Sequence, residues 1–419
     1  MKALNILFKL AVFLIPFDNL FFAPSTGWAT ISPILFFIYV FFNIKYLGRV
    51  LSLEVNKVIF ISFCVIYSFF LYLFNGINIA NVIDTLITLL LGITFYFALI
   101  IRYKLLENDK IKDLNILLAG YTISFIYGLI KYIALEFNLS FILSFFNMIE
   151  KRYYDRLAFS FTEPSFISVH IFGVLLLIYF FIHNKKIKRN ILILIVLFSS
   201  LTIIASSSSR FLIDFVVVTV LFSLFIVLNS KSKLLNKFFI VTSIVVIGMM
   251  FINIIENNNR MQMILDEGVY GDASLASRYF RVNASIEGYK ETPIHTIFGA
   301  GIGNSYIFLR KGYDKAFLDY DNSYTSEVEA LKYYEVNQMF SLPIRLISEI
   351  GFLNFLIIIF YLFLLTKFRL NGIISLLLVI WIYIQFDSYA FYSLWLLIFI
   401  LTYFNTNYKM RNHNENINF

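Results

Sequence analysis

The chain has one cysteine and four histidines in 419 residues, and only 14% of its residues are charged. A lone Cys64 excludes an intramolecular disulfide and a thiolate metal site, so cysteine usage assigns no compartment. His170, His183, His295 and His413 are scattered without metal-ligand spacing, and no structural metal or cofactor is expected. The scarcity of charge excludes an ordinary soluble domain, which carries about 25% charged and about 45–50% apolar residues. No internal repeat and no low-complexity linker breaks the pattern. What is abundant is apolar: 60% of the residues, with 50 Phe and 27 Tyr. The Phe, Tyr, Ile, Asn and Lys usage reflects an AT-rich coding bias.

Long apolar runs recur along the whole chain, which implies a polytopic, all-α membrane protein. The runs are continuous rather than alternating, which argues against a β-barrel. About twelve spans are expected, near 4–22, 28–44, 56–75, 79–101, 113–133, 166–183, 190–206, 211–229, 238–255, 342–366, 371–386 and 389–405. Each is long enough for a hydrocarbon core of ~30 Å. The first could be mistaken for a signal peptide, because Lys2 and Lys9 flank apolar residues. No A-x-A-like site follows, and Pro16 and Asp18 break the run, so a first membrane helix is expected.

The net charge of +8 does not indicate nucleic acid, because most Lys and Arg sit in short loops between apolar runs. Lys45, Arg49 and Lys57 form one group; Arg102, Lys104, Lys110 and Lys112 another; Lys185, Lys186, Lys188 and Arg189 a third. Lys231, Lys233, Lys237, Lys367, Arg369 and both termini join them. The positive-inside rule then puts both termini in the cytoplasm and residues 256–341 outside, as one large periplasmic loop. Three places carry positive charge on the wrong side: Lys151, Arg152 and Arg156; Arg210; and Arg278, Arg281 and Arg345. Long loops escape the rule, but Arg156 and Arg210 do not. A charge held near a bilayer costs about 2.5–3.5 kcal/mol at mid-depth, so such an arginine faces a cavity or a partner.

Each motif has a plain reading beside the functional one. In Ser206-Ser207-Ser208-Ser209-Arg210, Asp214 is the i+4 partner of Arg210, which suffices for a structural pair. Arginine among hydroxyl donors also suits phosphate recognition. In Arg156 to Ser165, Glu163 and Pro164 read as a helix start, which leaves Arg156 unexplained. Asp272-Ala273-Ser274-Leu275 reads as another helix start, with Arg278, Arg281, Val282 and Ser285 on one face. Two arginines one turn apart repel unless an anion or acid lies between them. Gly299, Gly301 and Gly303 superficially resemble a phosphate-cradling loop, but no βαβ unit surrounds them; a tight turn with close backbone approach is expected. Tyr324–Met339 reads as an amphipathic helix. Arg345 and Glu349 are again i,i+4, and Asp84 is a lone intramembrane acid.

Together these motifs resemble the bacterial O-antigen polymerases (Wzy), in the superfamily that includes the O-antigen ligases. The shared patterns are Arg156 to Glu163-Pro164, the Ser-rich span end before Arg210, and Ser274–Arg278 followed by Pro293 and Gly299–Asn304. Asn337 and Glu349–Gly351 complete the set. Where ligases carry a histidine late in the loop, Val336 stands beside Asn337, which favours a polymerase over a ligase. The resemblance implies glycosyl transfer between undecaprenyl-pyrophosphate-linked oligosaccharides at the periplasmic face of the inner membrane. It implies membrane lipid, a chain-length regulator and a flippase as partners, and no nucleic acid. Preorganised arginines would carry the pyrophosphate leaving group without a metal: Arg210 and Arg278 first, then Arg156, Arg281 and Arg345. Glu163 is the expected base, with Glu349 in reserve and His295 behind it. A ligase or a lipid flippase is the alternative, although a flippase should show paired repeats and charged helices. The Arg278 helix is expected to fold back over Arg156 and Arg210.

Overall fold

A computed structural model describes residues 2–19, 31–205, 208–228, 259–318, 320, 325–333, 335 and 338–404. Among these residues the protein is all-helical. Among the described residues five helices are long and apolar enough to cross a membrane: Val55–Asn75, Ile79–Leu105, Lys110–Glu136, Lys185–Ile204 and Ser209–Leu228. Ser32–Phe42 and Ile44–Leu53 would make a sixth span if counted together, although they bend by 71°. Phe166–Phe181, Phe352–Leu365, Leu370–Ile384 and Tyr392–Tyr403 are apolar but shorter. The stretch expected at 4–22 is helical over Lys2–Phe13. The stretch at 342–366 is broken at Gly351, whose φ is +87°. The span expected at 238–255 lies outside the described residues.

The main core is aromatic and continuous through the apolar helices. Phe8, Phe36, Phe95 and Tyr392 meet edge to face with centroids 5.0–5.5 Å apart. Phe198 gathers Tyr121, Phe125, Phe159 and Phe161. Such pairs contribute about 0.5–1.5 kcal/mol each beyond the area they bury. Several ion pairs lie inside this core. Arg102, a charge expected in a solvated loop, is buried and bidentate to Asp113 at 2.8 and 3.0 Å. Lys131 and Glu150 are buried together, 2.7 Å apart. His170 binds Asp18 at 2.6 Å and Tyr121 at 3.1 Å, with all three enclosed. Asp84 is exposed on its helix.

The segment expected as a polar loop folds into helices with a core of its own. Ala273–Glu291 packs antiparallel on Tyr306–Leu318, and small residues permit the close crossing. A Cβ on Gly288 would stand 2.0 Å from the Phe308 carbonyl oxygen, and one on Gly312 would stand 2.0 Å from that of Ala284. Phe280, Leu309, Tyr313, Val328 and Met339 fill the space beneath. Helix is found over Thr325–Tyr333 within the amphipathic stretch.

The glycine turn fastens this body to the apolar helices. Gly299, Gly301 and Gly303 have φ of +87°, +99° and +82°, which only glycine adopts freely. Ala300 N donates to the Ser348 carbonyl at 2.8 Å, and Gly301 N to that of Glu349 at 2.9 Å. Tyr67 and Tyr72 donate to the Phe298 and Ile302 carbonyls at 3.0 and 2.5 Å. Asn304 Nδ2 donates to the Gly76 carbonyl at 2.9 Å. Amides that would have to face a phosphate are spent on carbonyls, so the turn is a joint rather than an anion cradle.

Candidate functional site

Two helix starts face each other across a polar cavity. Asp272 caps the Ala273–Glu291 helix, accepting from Ser274 N and Leu275 N at 2.9 and 3.0 Å, as its position before an amphipathic run predicts. Its other oxygen accepts from the Ser209 hydroxyl at 3.3 Å, which ties this helix to the start of Ser209–Leu228. Arg210 and Arg278 are thereby brought to the same cavity.

The cavity measures about 110 Å³ and is lined by Arg156, Glu163, Arg210 and Arg278, with Tyr154, Ser165, Ser209 and Asp272 among its other walls. Three of the five expected arginines and the expected base therefore meet, although they lie 122 residues apart in the chain. Arg210 is buried; its Nε approaches Asp214 at 3.4 Å and its Nη2 the Ile382 carbonyl at 3.4 Å. Asp214 also accepts from Trp381 Nε1 at 2.8 Å. The expected Arg210–Asp214 pair thus exists, and the same arginine lines the cavity. Glu163 accepts from Arg152 Nη1 at 3.1 Å and from the Ser165 hydroxyl at 3.2 Å. Arg152 was among the misplaced positive charges, yet its contact with Glu163 was not foreseen. Arg156 is exposed, with its guanidinium 5.7 Å from the Tyr154 ring.

Arg278 carries the electrostatic signature of the site. Burial first, and the charge of Arg210 second, push its guanidinium down to about 10, against attraction from Glu163, Asp272 and Asp214. It remains a cation at neutral pH.

The structure separates the remaining expected residues from this cavity. Arg281 points to the Gln338 carbonyl, 2.8 Å from Nη1. The Phe340 ring serves both Arg278 and Arg281, 5.3 and 4.7 Å from their guanidinium carbons. Arg345 binds Glu349 at 2.9 Å, the Thr85 hydroxyl at 2.7 Å and the Asp387 carbonyl at 3.1 Å. Tyr389 donates to the second Glu349 oxygen at 2.8 Å. Glu349 is fully enclosed and ion-paired, so it is a poor general base, and Arg345 is occupied in balancing it. Glu349 borders a second, mostly apolar cavity of about 340 Å³. His295 lies apart, 3.4 Å from Lys311 Nζ. Ser206, Ser207, Val336 and Asn337 lie outside the described residues. Among the described residues no cluster of three His, Cys, Asp or Glu side chains is placed to hold a metal ion.

No family model, no curated protein and no solved structure matches this chain.

Proposed function

We propose that this protein is a membrane glycosyltransferase of the O-antigen polymerase type. In this reading the chain crosses the inner membrane about twelve times, with both termini in the cytoplasm and residues 256–341 in the periplasm. One undecaprenyl-pyrophosphate-linked glycan is the donor, and a hydroxyl of a second lipid-linked unit attacks its anomeric carbon. The carrying observation is the polar cavity in which Arg156, Arg210 and Arg278 converge with Glu163 at the end of a long apolar helix. The C–O bond to the pyrophosphate breaks as the acceptor oxygen forms the new glycosidic bond. The leaving group departs as an anion that the arginines stabilise. Glu163, held by Arg152 and Ser165, takes the acceptor proton. Arg345 and Glu349 hold the helices around the cavity rather than touching substrate. The partners of this reading are membrane lipid, a chain-length regulator and a flippase.

Polysaccharide gels of a deletion strain complemented with Arg278→Ala or Glu163→Gln provide the test. A single repeat unit in place of a ladder, at wild-type protein level, is expected. A normal ladder from both variants would sink the reading. Core without any repeat in the deletion strain would instead indicate a ligase.

A further inference from the structure

Residues 338–340 are clamped between the Ala273–Glu291 helix and the turn that joins Leu370–Ile384 to Tyr392–Tyr403. The Asp387 carboxylate accepts from two consecutive amides, Met339 N at 2.7 Å and Phe340 N at 3.1 Å. Arg281 holds the Gln338 carbonyl from the other side. Between these contacts Phe340 takes a φ of +53°, a left-handed conformation that a bulky residue rarely adopts. That backbone presents its ring to Arg278 and Arg281 together.

The choice of an aromatic ring here has a chemical meaning. Across the cavity Arg278 is repelled by Arg210 and drawn by Glu163, Asp272 and Asp214, and the Phe340 ring adds an attraction of another kind. A carboxylate in that place would hold Arg278 but cancel its charge. A ring face attracts the guanidinium through its quadrupole and leaves the full charge available to a ligand.

We propose that Phe340 and Asp387 are positioning residues of the anion site. Asp387 holds Phe340 in its left-handed conformation, and the Phe340 ring holds Arg278 at the cavity. The inference rests on reading that cavity as a site for a phosphate-type anion. The turn that carries Asp387 reaches the other walls as well. The Ile382 carbonyl accepts from Arg210 at 3.4 Å, and the Phe386 ring meets Phe166 edge-on at 5.3 Å, three residues after Glu163. A single segment, residues 382–387, thus touches the elements bearing Arg210 and Glu163, and it reaches Arg278 through the Phe340 ring.

Full-length protein in lipid nanodiscs, titrated calorimetrically with inorganic pyrophosphate, tests the idea. Phe340→Gly is the informative variant, because glycine accepts positive φ without strain and only the ring is lost. Affinity should fall about five- to thirtyfold, the factor that a desolvated cation–π contact represents, while the variant still unfolds cooperatively. Phe340→Tyr should restore binding, whereas Phe340→Leu, which keeps apolar bulk without a π face, should not. Asp387→Ala should lose affinity and Asp387→Asn should lose less. Wild-type affinity in Phe340→Gly and Phe340→Leu, with Arg278→Ala still defective, would overturn the positioning role and leave the anion site standing. Absence of pyrophosphate binding by the wild type would overturn the anion-site reading itself, and this inference with it.

Discussion

Replacing Arg278 with alanine should abolish anion binding while leaving the protein as stable as before, and the structure gives the size of the effect. Burial and the Arg210 charge lower the Arg278 guanidinium from its ordinary value to about 10. A difference of that size corresponds to about 3 kcal/mol of unfavourable charge in the folded state. Against it stand the contact with the Phe340 ring, about 1–2 kcal/mol, and the packing of the side-chain stem. Alanine should therefore be neutral or stabilising by about 1 kcal/mol. The pH dependence follows from the sign. The folded value lies below the unfolded one, so the cost is present in full below about 10 and disappears as the pH rises towards the ordinary arginine value. A bound dianion reverses the balance by placing opposite charge against Arg278. Unfolding of the purified variant at neutral pH, with and without pyrophosphate, is the assay. Wild type should be stabilised by pyrophosphate and Arg278→Ala should not. A variant less stable than wild type by about 2 kcal/mol, or one still stabilised by pyrophosphate, would refute the argument. Arg210→Ala is the wrong variant for this purpose. It leaves Asp214 buried without its cation, and breaking such a pair costs about 3–5 kcal/mol on its own.

Two further outcomes separate chemistry from architecture. Glu163→Gln should leave stability within about 1 kcal/mol, because its Arg152 pair is half in solvent, and should lower polymerisation about a hundredfold or more; Glu349→Gln should instead lower the unfolding free energy by about 3–5 kcal/mol through the stranded Arg345. Gly303→Ala should cost more than the ~1–2 kcal/mol of a left-handed residue, because its Cβ would stand 2.8 Å from the Val82 backbone, whereas Gly301→Ala meets chiefly the Tyr72 ring, which can turn; membrane-inserted protein level and unfolding midpoints would rank the two.

Much of the local structure was legible from neighbouring residues alone. Helix propensity and apolar length mark Val55–Asn75 and Ser209–Leu228 without reference to the rest of the molecule. Asp272 declares a helix start because its cap bonds reach only two and three residues ahead. The Arg210–Asp214 and Arg345–Glu349 pairs follow from one helical turn. Charge on the unexpected side singled out Arg156 and Arg210, because membrane topology is a property of loop composition.

What could not be read was which of these charges share a space. Arg278, Arg281 and Arg345 were all expected at the anion, Arg278 first, yet only Arg278 lines the polar cavity, while Arg345 is consumed by Glu349, Thr85 and the Asp387 carbonyl. Asp387 looked like a featureless loop residue, because its partners at 339 and 340 lie some fifty residues away. The helix break at Gly351 lay inside the span expected at 342–366, because hydropathy does not register a change of φ.

By itself, the amino-acid sequence determined the all-helical class, the apolar helices and the charges that needed an explanation, since these depend on composition and on contacts within a few residues. Tertiary structure decided which arginines face one another. That depends on the Ser209–Asp272 bond, the glycine joint and the clamp at Phe340, whose partners are distant in the chain and whose energies are felt only once it is packed.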